Sequence, residues 1–157
     1  MVSVSPNGDS SSVFIPDDGY TESGFIRARA GLHGALRFRY RPMLVEDRSR
    51  ILGEFEHLRP EAAELKAAGE IHRRLVWWDL CDGQSKPVPI SLDVVRRLKP
   101  AVFARVWAIV LGTEPSDIDP GWSAEEKLAA AELQATAGPG PVGDAREVRD
   151  EKNSATG

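Results

Sequence analysis

The sequence predicts a mainly α fold in which an N-terminal two-stranded β-hairpin packs on a bundle of four to five helices. Three observations lead to this. Apolar residues alternate with arginines between Gly24 and Arg41, and apolar residues then recur at helical spacing from Leu44 to Leu111. Proline, serine and glycine punctuate the points where those stretches begin and end.

In the first stretch Ile26 and Ala28 alternate with Arg27 and Arg29, and Leu36, Phe38 and Tyr40 with Arg37, Arg39 and Arg41. This is the period of a strand with one wet face. Gly31-Leu32-His33-Gly34 supplies turn chemistry between the two runs. The register that keeps one face apolar sets Ala28 opposite Phe38 and Ile26 opposite Tyr40. It also stacks Arg29 on Arg37 and Arg27 on Arg39, and a one-residue slip would mix the faces.

Pro42 closes the second strand, and Leu44, Ile51, Leu52, Phe55 and Leu58 form the stripe of a first helix. Pro60 fits the opening position of a second helix, with Leu65, Ala68, Ile71, Leu75 and Trp78 as its apolar side, packed antiparallel to the first. After the large apolar pair Trp77-Trp78, Asp82-Gly83 supplies a turn, and Pro87 and Pro89 hold the chain extended. Ser91 then caps a short third helix whose buried side is Leu92, Val95 and Leu98.

Pro100 ends that helix and opens a fourth. Its residues Val102, Phe103, Val106, Trp107, Ile109, Val110 and Leu111 are apolar on nearly every side, with Gly112 as a left-handed stop. Such a helix is either central or an adhesive surface. A turn-rich link from Thr113 to Gly121 leads to the capping box Ser123-Ala124-Glu125-Glu126 and a fifth helix to about Thr136. Leu128 and Leu133 are its only large apolar residues, so it docks loosely or orders with a partner.

With 157 residues, 41% hydrophobic and 28% charged, the chain has the composition of one ordinary globular domain. That domain is expected over residues 13–137, between a disordered tail at 1–12 and a flexible, charged tail at 138–157. The start lacks the basic head and apolar stretch of a signal peptide, and no apolar run is long enough to span a membrane. The lone Cys81 excludes an internal disulfide and agrees with a cytoplasmic setting. A net charge of −4 argues against a dedicated nucleic-acid binder.

No constellation resembles an active site, and neither a cofactor nor a metal is expected. His33, His57 and His72 have no metal-ligand spacing, and Asp79 and Asp82 have no partner suited to acid–base work. Asp117 and Asp119 look like the opening of a calcium loop, but its later glycine and glutamate do not follow, so turn and cap roles suit them better. The arginine face is the sharpest local signal. A solvated strand face or an acidic protein partner accounts for it, with nucleic acid the lesser reading.

Three segments carry a resemblance: Leu36-Arg37-Phe38-Arg39-Tyr40-Arg41-Pro42-Met43, then Leu75-Val76-Trp77-Trp78-Asp79-Leu80 with Asp82-Gly83, and Val88-Pro89-Ile90-Ser91 leading to Leu98-Lys99-Pro100. Together, over about residues 24–119, they resemble the small tail assembly chaperones of long-tailed bacteriophages. The resemblance implies a mostly helical, non-enzymatic protein of the host cytoplasm. It implies binding to the tape-measure protein and helping tail-tube subunits assemble around it, with self-association as a further option. On that reading the partner would meet Arg37, Arg39 and Arg41 of the hairpin and Phe103, Val106, Trp107 and Val110 of the fourth helix. A structural virion component, such as a head-to-tail connector or tail protein, and a nucleic-acid-binding regulator are the alternatives.

Overall fold

The alternating stretch does form strands, but it recruits a third one from a segment whose spacing reads as helix. The computed structural model describes residues 19–137. Strands β1 (Glu22–Ile26), β2 (Leu36–Tyr40) and β3 (Leu75–Trp78) make one antiparallel sheet in that order. Five helices accompany it: α1 (Val45–Phe55), α2 (Pro60–Arg74), α3 (Leu92–Arg96), α4 (Pro100–Leu111) and α5 (Ala124–Ala137). The fold is therefore mixed α/β, and the expectation of a two-stranded hairpin on a helical bundle is corrected. The tails expected at 1–12 and 138–157, with residues 13–18 of the expected domain, lie outside the described residues.

The correction turns on Leu75–Trp78. Leu75 caps α2 with extended backbone (φ −67°, ψ 129°), and the chain passes into β3 without a loop. Tyr40 faces Leu75 while Arg39 faces Trp77, so Val76 is the extra residue of a β-bulge. The bulge turns Leu75 and Trp78 to the same buried side and leaves Val76 and Trp77 exposed.

The β1–β2 register also differs from the expected one. Ile26 faces Leu36, Gly24 faces Phe38, and Glu22 faces Tyr40. Ala28 and Arg29 thus belong to the connection, which an Arg29–His33 bridge closes around Gly31 at φ +78°. The displacement is by an even number of residues, so every side chain keeps its expected face. Its cause is the Phe38 ring, fully buried over Gly24, where any side chain would collide with it. Across the same pair of strands the Tyr40 hydroxyl donates to Glu22 Oε2 at 3.1 Å, and burial pushes its pKa up.

The core lies on one side of the sheet. Ile26, Leu36, Phe38, Tyr40, Leu75 and Trp78 meet Ala68 and Ile71 of α2, Val95 of α3, and Val102, Val106, Ile109 and Val110 of α4. Helix α2 packs on α3 and α4, and α4 on β1. The local start and stop signals hold. Pro60 and Pro100 open α2 and α4, Ser91 Oγ accepts the Val94 N–H at 3.2 Å, and Gly112 ends α4 at φ +85°. Ser123 and Glu126 bond reciprocally to each other's backbone N–H at the start of α5. Helix α1, in contrast, begins without a side-chain cap. Ion pairs Asp47–Arg74 and Glu54–Lys66 follow the antiparallel order of α1 and α2, and Phe55 lies 5.5 Å from Trp107, ring to ring.

Adding one methyl at Gly24 should therefore be costly. Gly24→Ala is expected to lose about 1–3 kcal/mol of stability in urea unfolding, the range for overpacking a filled core. In the Gly24→Ala/Phe38→Leu pair the loss should be less than the sum of the single losses, because the smaller side chain removes the collision. Additive losses would show that the ring does not set this register.

Candidate functional site

Alternation along β2 sends Arg37 and Arg39 to the sheet face opposite the core, where Phe25 and Ser23 of β1 stand across from them. The link after α4 returns along this face. Asp117 N–H donates to Phe25 C=O at 3.0 Å, Phe25 N–H to Ser116 Oγ at 2.7 Å, and Arg27 N–H to Asp117 Oδ2 at 3.0 Å. These bonds occupy the outer edge of β1, which would otherwise be free to pair with another strand.

The same link carries the acids that answer the arginines. Arg37 grips Asp119 through two hydrogen bonds, Nε to Oδ2 at 2.7 Å and Nη2 to Oδ1 at 3.1 Å. Its backbone N–H donates to Asp79 Oδ1 at 2.8 Å, and its guanidinium lies 5.2 Å above the Phe25 ring. Asp119 also accepts the Gly121 N–H at 2.8 Å, which is the Asx turn expected of it. The Arg37 hydrogen bond first, and the Gly121 N–H with it, hold the Asp119 carboxyl below its ordinary pKa against the opposing effect of burial. Arg105 of α4 fixes the start of the link through Glu114 at 2.6 Å and Asp117 at 3.2 Å.

The seven residues expected to meet a partner therefore divide. Arg37 is committed to Asp119 and Asp79. Val106 and Val110 are buried, at 0% and 1% exposure, and belong to the core, so neither is available to a partner. Phe103 and Trp107 are half-buried against that core. Arg39 and Arg41 are exposed, and among the described residues neither lies within ion-pair distance of an acid. The α4 helix is central, so the adhesive alternative does not describe its main face.

Two contributors were missed. Trp77 is 48% exposed and stands directly opposite Arg39 across β2 and β3. The β-branched and aromatic run Val76-Trp77-Trp78 is the available signal for a strand there, hidden by an apparent helical stripe. The second contributor is a groove of about 680 Å³ between α5, the end of α4 and the β1–β2 strands, lined by Tyr20, Glu22, Arg39, Ile109, Trp122 and Leu133. None of the residues Ala124–Thr136 of α5 is buried, and Leu128 and Leu133 are 64% and 63% exposed. One hydrogen bond, from Gln134 Nε2 to Ser116 C=O at 3.0 Å, ties the helix to the link.

Among the described residues no helix is long and apolar enough to cross a membrane, and no group of three or more His, Cys, Asp or Glu side chains could hold a metal ion. Compared with protein-family models, curated proteins and solved structures, the chain matches none of them.

The Arg37–Asp119 clamp makes stability depend on pH in a defined direction. The folded-state pKa of Asp119 lies below the ordinary 3.8, so its contribution is complete above that value and is lost as pH falls through the folded one. Asp119→Asn keeps an acceptor for Gly121 but cannot ionise. It should be less stable at neutral pH and lose less stability than the parent chain between about pH 5 and pH 2 in urea titrations. Identical acid losses in the two proteins would remove Asp119 from this role.

Proposed function

We propose that the chain is a non-catalytic binding protein, a tail assembly chaperone that holds the tape-measure protein in the host cytoplasm while tail-tube subunits assemble around it. The observation that carries this reading is the groove in which Arg39 of the sheet and Leu133 of an unburied, well-capped helix share one surface. Trp77 opposite Arg39 extends that surface with the residue types that dominate protein interfaces, an aromatic beside an arginine.

The groove suits a helical partner. An amphipathic helix laid along it would cover Leu133 with its apolar side and bring acidic residues to Arg39, and Arg41 stands close along the chain. The clamped link keeps the sheet side of the groove fixed, while α5 has no buried side chain among residues 124–136 to hold it in one position. A fixed wall facing an adaptable one fits a partner with many similar helical turns. The resemblance of three segments of the sequence to tail assembly chaperones supplies the identity of that partner.

Co-expression with the tape-measure protein tests this. The parent chain should co-purify with it, and Leu128→Asp/Leu133→Asp and Arg39→Glu/Arg41→Glu should each weaken binding by about tenfold or more, equivalent to about 1.4 kcal/mol. All four positions are exposed, so the far-UV circular dichroism of both variants should match the parent. Unchanged co-purification of both variants, or no complex with the parent, would overturn the proposal. Abundant protein in purified particles would point instead to a structural virion component.

A further inference from the structure

At the other end of the sheet lies a second, half-open cleft of about 440 Å³, between the β1–β2 connection, the turn after β3 and the junction of α3 with α4. Its walls are Leu36, Leu80, Val88, Val94, Leu98 and Val102, and its mouth is framed by His33, Asp82, Arg97 and Lys99. None of these residues belongs to the surface proposed for the tape measure. We propose that this cleft is a binding site for a small carboxylate carried on a single apolar chain.

The volume lies within the range of about 300–1,000 Å³ typical of small-molecule sites. A single hydrocarbon chain is narrow enough for such a cleft, whereas a packed helix, about 10–12 Å across with its side chains, would need a wider trough. The apolar walls would cover the inner side of such a chain, and that partial burial supplies the affinity.

The charge at the mouth selects the head group. Arg97 and Lys99 are exposed, and among the described residues neither lies within ion-pair distance of a carboxylate, in contrast to Arg37, Arg74 and Arg105. Lys99 Nζ donates one bond, to Leu32 C=O at 2.6 Å, which pins the β1–β2 connection over the cleft and leaves the other ammonium protons free. Asp82 is the one acid of the lining, and its Oδ1 is engaged by the N–H groups of Gln84 and Lys86 at 2.8 and 3.0 Å. His33 Nδ1 donates to Gly34 C=O at 2.9 Å, so its Nε2 is the ring nitrogen left for a ligand. Two cations against one engaged acid favour an anion, and a guanidinium matches a carboxylate with two parallel bonds.

The single cysteine of the chain, Cys81, lines this cleft and is exposed, so its modification rate reports occupancy. The full-length protein is treated with iodoacetamide in the presence of octanoate, 1-octanol or octyltrimethylammonium, all with the same chain length. Octanoate at low-millimolar concentration should slow Cys81 modification by about threefold or more, as expected when ligand concentration exceeds Kd by a small factor. Octanol should protect less, and the cationic analogue not at all. Arg97→Glu should abolish the preference for octanoate, and Ala35→Trp, which fills the cleft from an exposed lining position, should abolish protection by every analogue. Both variants are checked for parental circular dichroism. Absence of octanoate protection in the parent, equal protection by octanol, or a preference that survives Arg97→Glu would each overturn the proposal.

Discussion

The structure depends on how the chain passes from α2 into β3. There is no loop at this point: Arg74 ends the helix, Leu75 is already extended, and the Arg74 carbonyl accepts the Arg41 N–H at 2.9 Å just beyond β2. The bulge at Val76 then lets Leu75 and Trp78 enter the core together, against Tyr40 and Phe38. Without it the strict alternation of a strand would send one of the two to solvent. Trp78 also anchors the segment after β3, since its Nε1–H donates to the Val88 carbonyl at 2.6 Å and so sets the path toward Ser91 and α3. The end of α2, the third strand of the sheet and the path toward α3 thus meet in one irregular strand.

That irregularity is also why the strand was illegible. An inward pair three residues apart is the signature of a helix face, and the bulge gives a strand that same spacing. The helices, in contrast, announce themselves through chemistry that acts within one turn. The Ser91 cap, the Ser123–Glu126 box, Pro60, Pro100 and Gly112 each function with neighbours close in sequence, so reading them requires no knowledge of the tertiary fold. The β1–β2 register lies between these cases. Its parity was legible from the alternation of apolar residues and arginines. Its exact setting was not, because it is fixed by Gly24 having no side chain where Phe38 must lie.

The arginine face shows the same division. That β2 has a cationic side is plain in its sequence, but the acids that meet Arg37 come from Asp79 and Asp119, 42 and 82 positions further along the chain. Nothing local marks them as its partners. Once they are in place, Arg37 becomes a fastening for the link that covers the β1 edge, and the free cationic character of the face contracts to Arg39 and Arg41. The apolar α4 helix resolves in the opposite direction. Val106 and Val110 are core, so the greasiest segment of the sequence contributes little to the surface.

The surface proposed for recognition combines two walls of different rigidity across one groove. On the sheet side, ladder bonds, the bidentate clamp and the Arg105 contacts fix the backbone around Arg39 and Ser116. On the α5 side, helical order comes from a capping box and an alanine- and glutamate-rich sequence rather than from burial. A 14-residue helix sustained in that way is marginal by itself, so displacing it costs little while its exposed leucines gain by being covered. Firmly packed helices would hold the groove at one width. On the proposed reading, a wall that can shift would let one surface accept successive, unequal turns of a long partner, with Arg39 as the fixed reference on the opposite side.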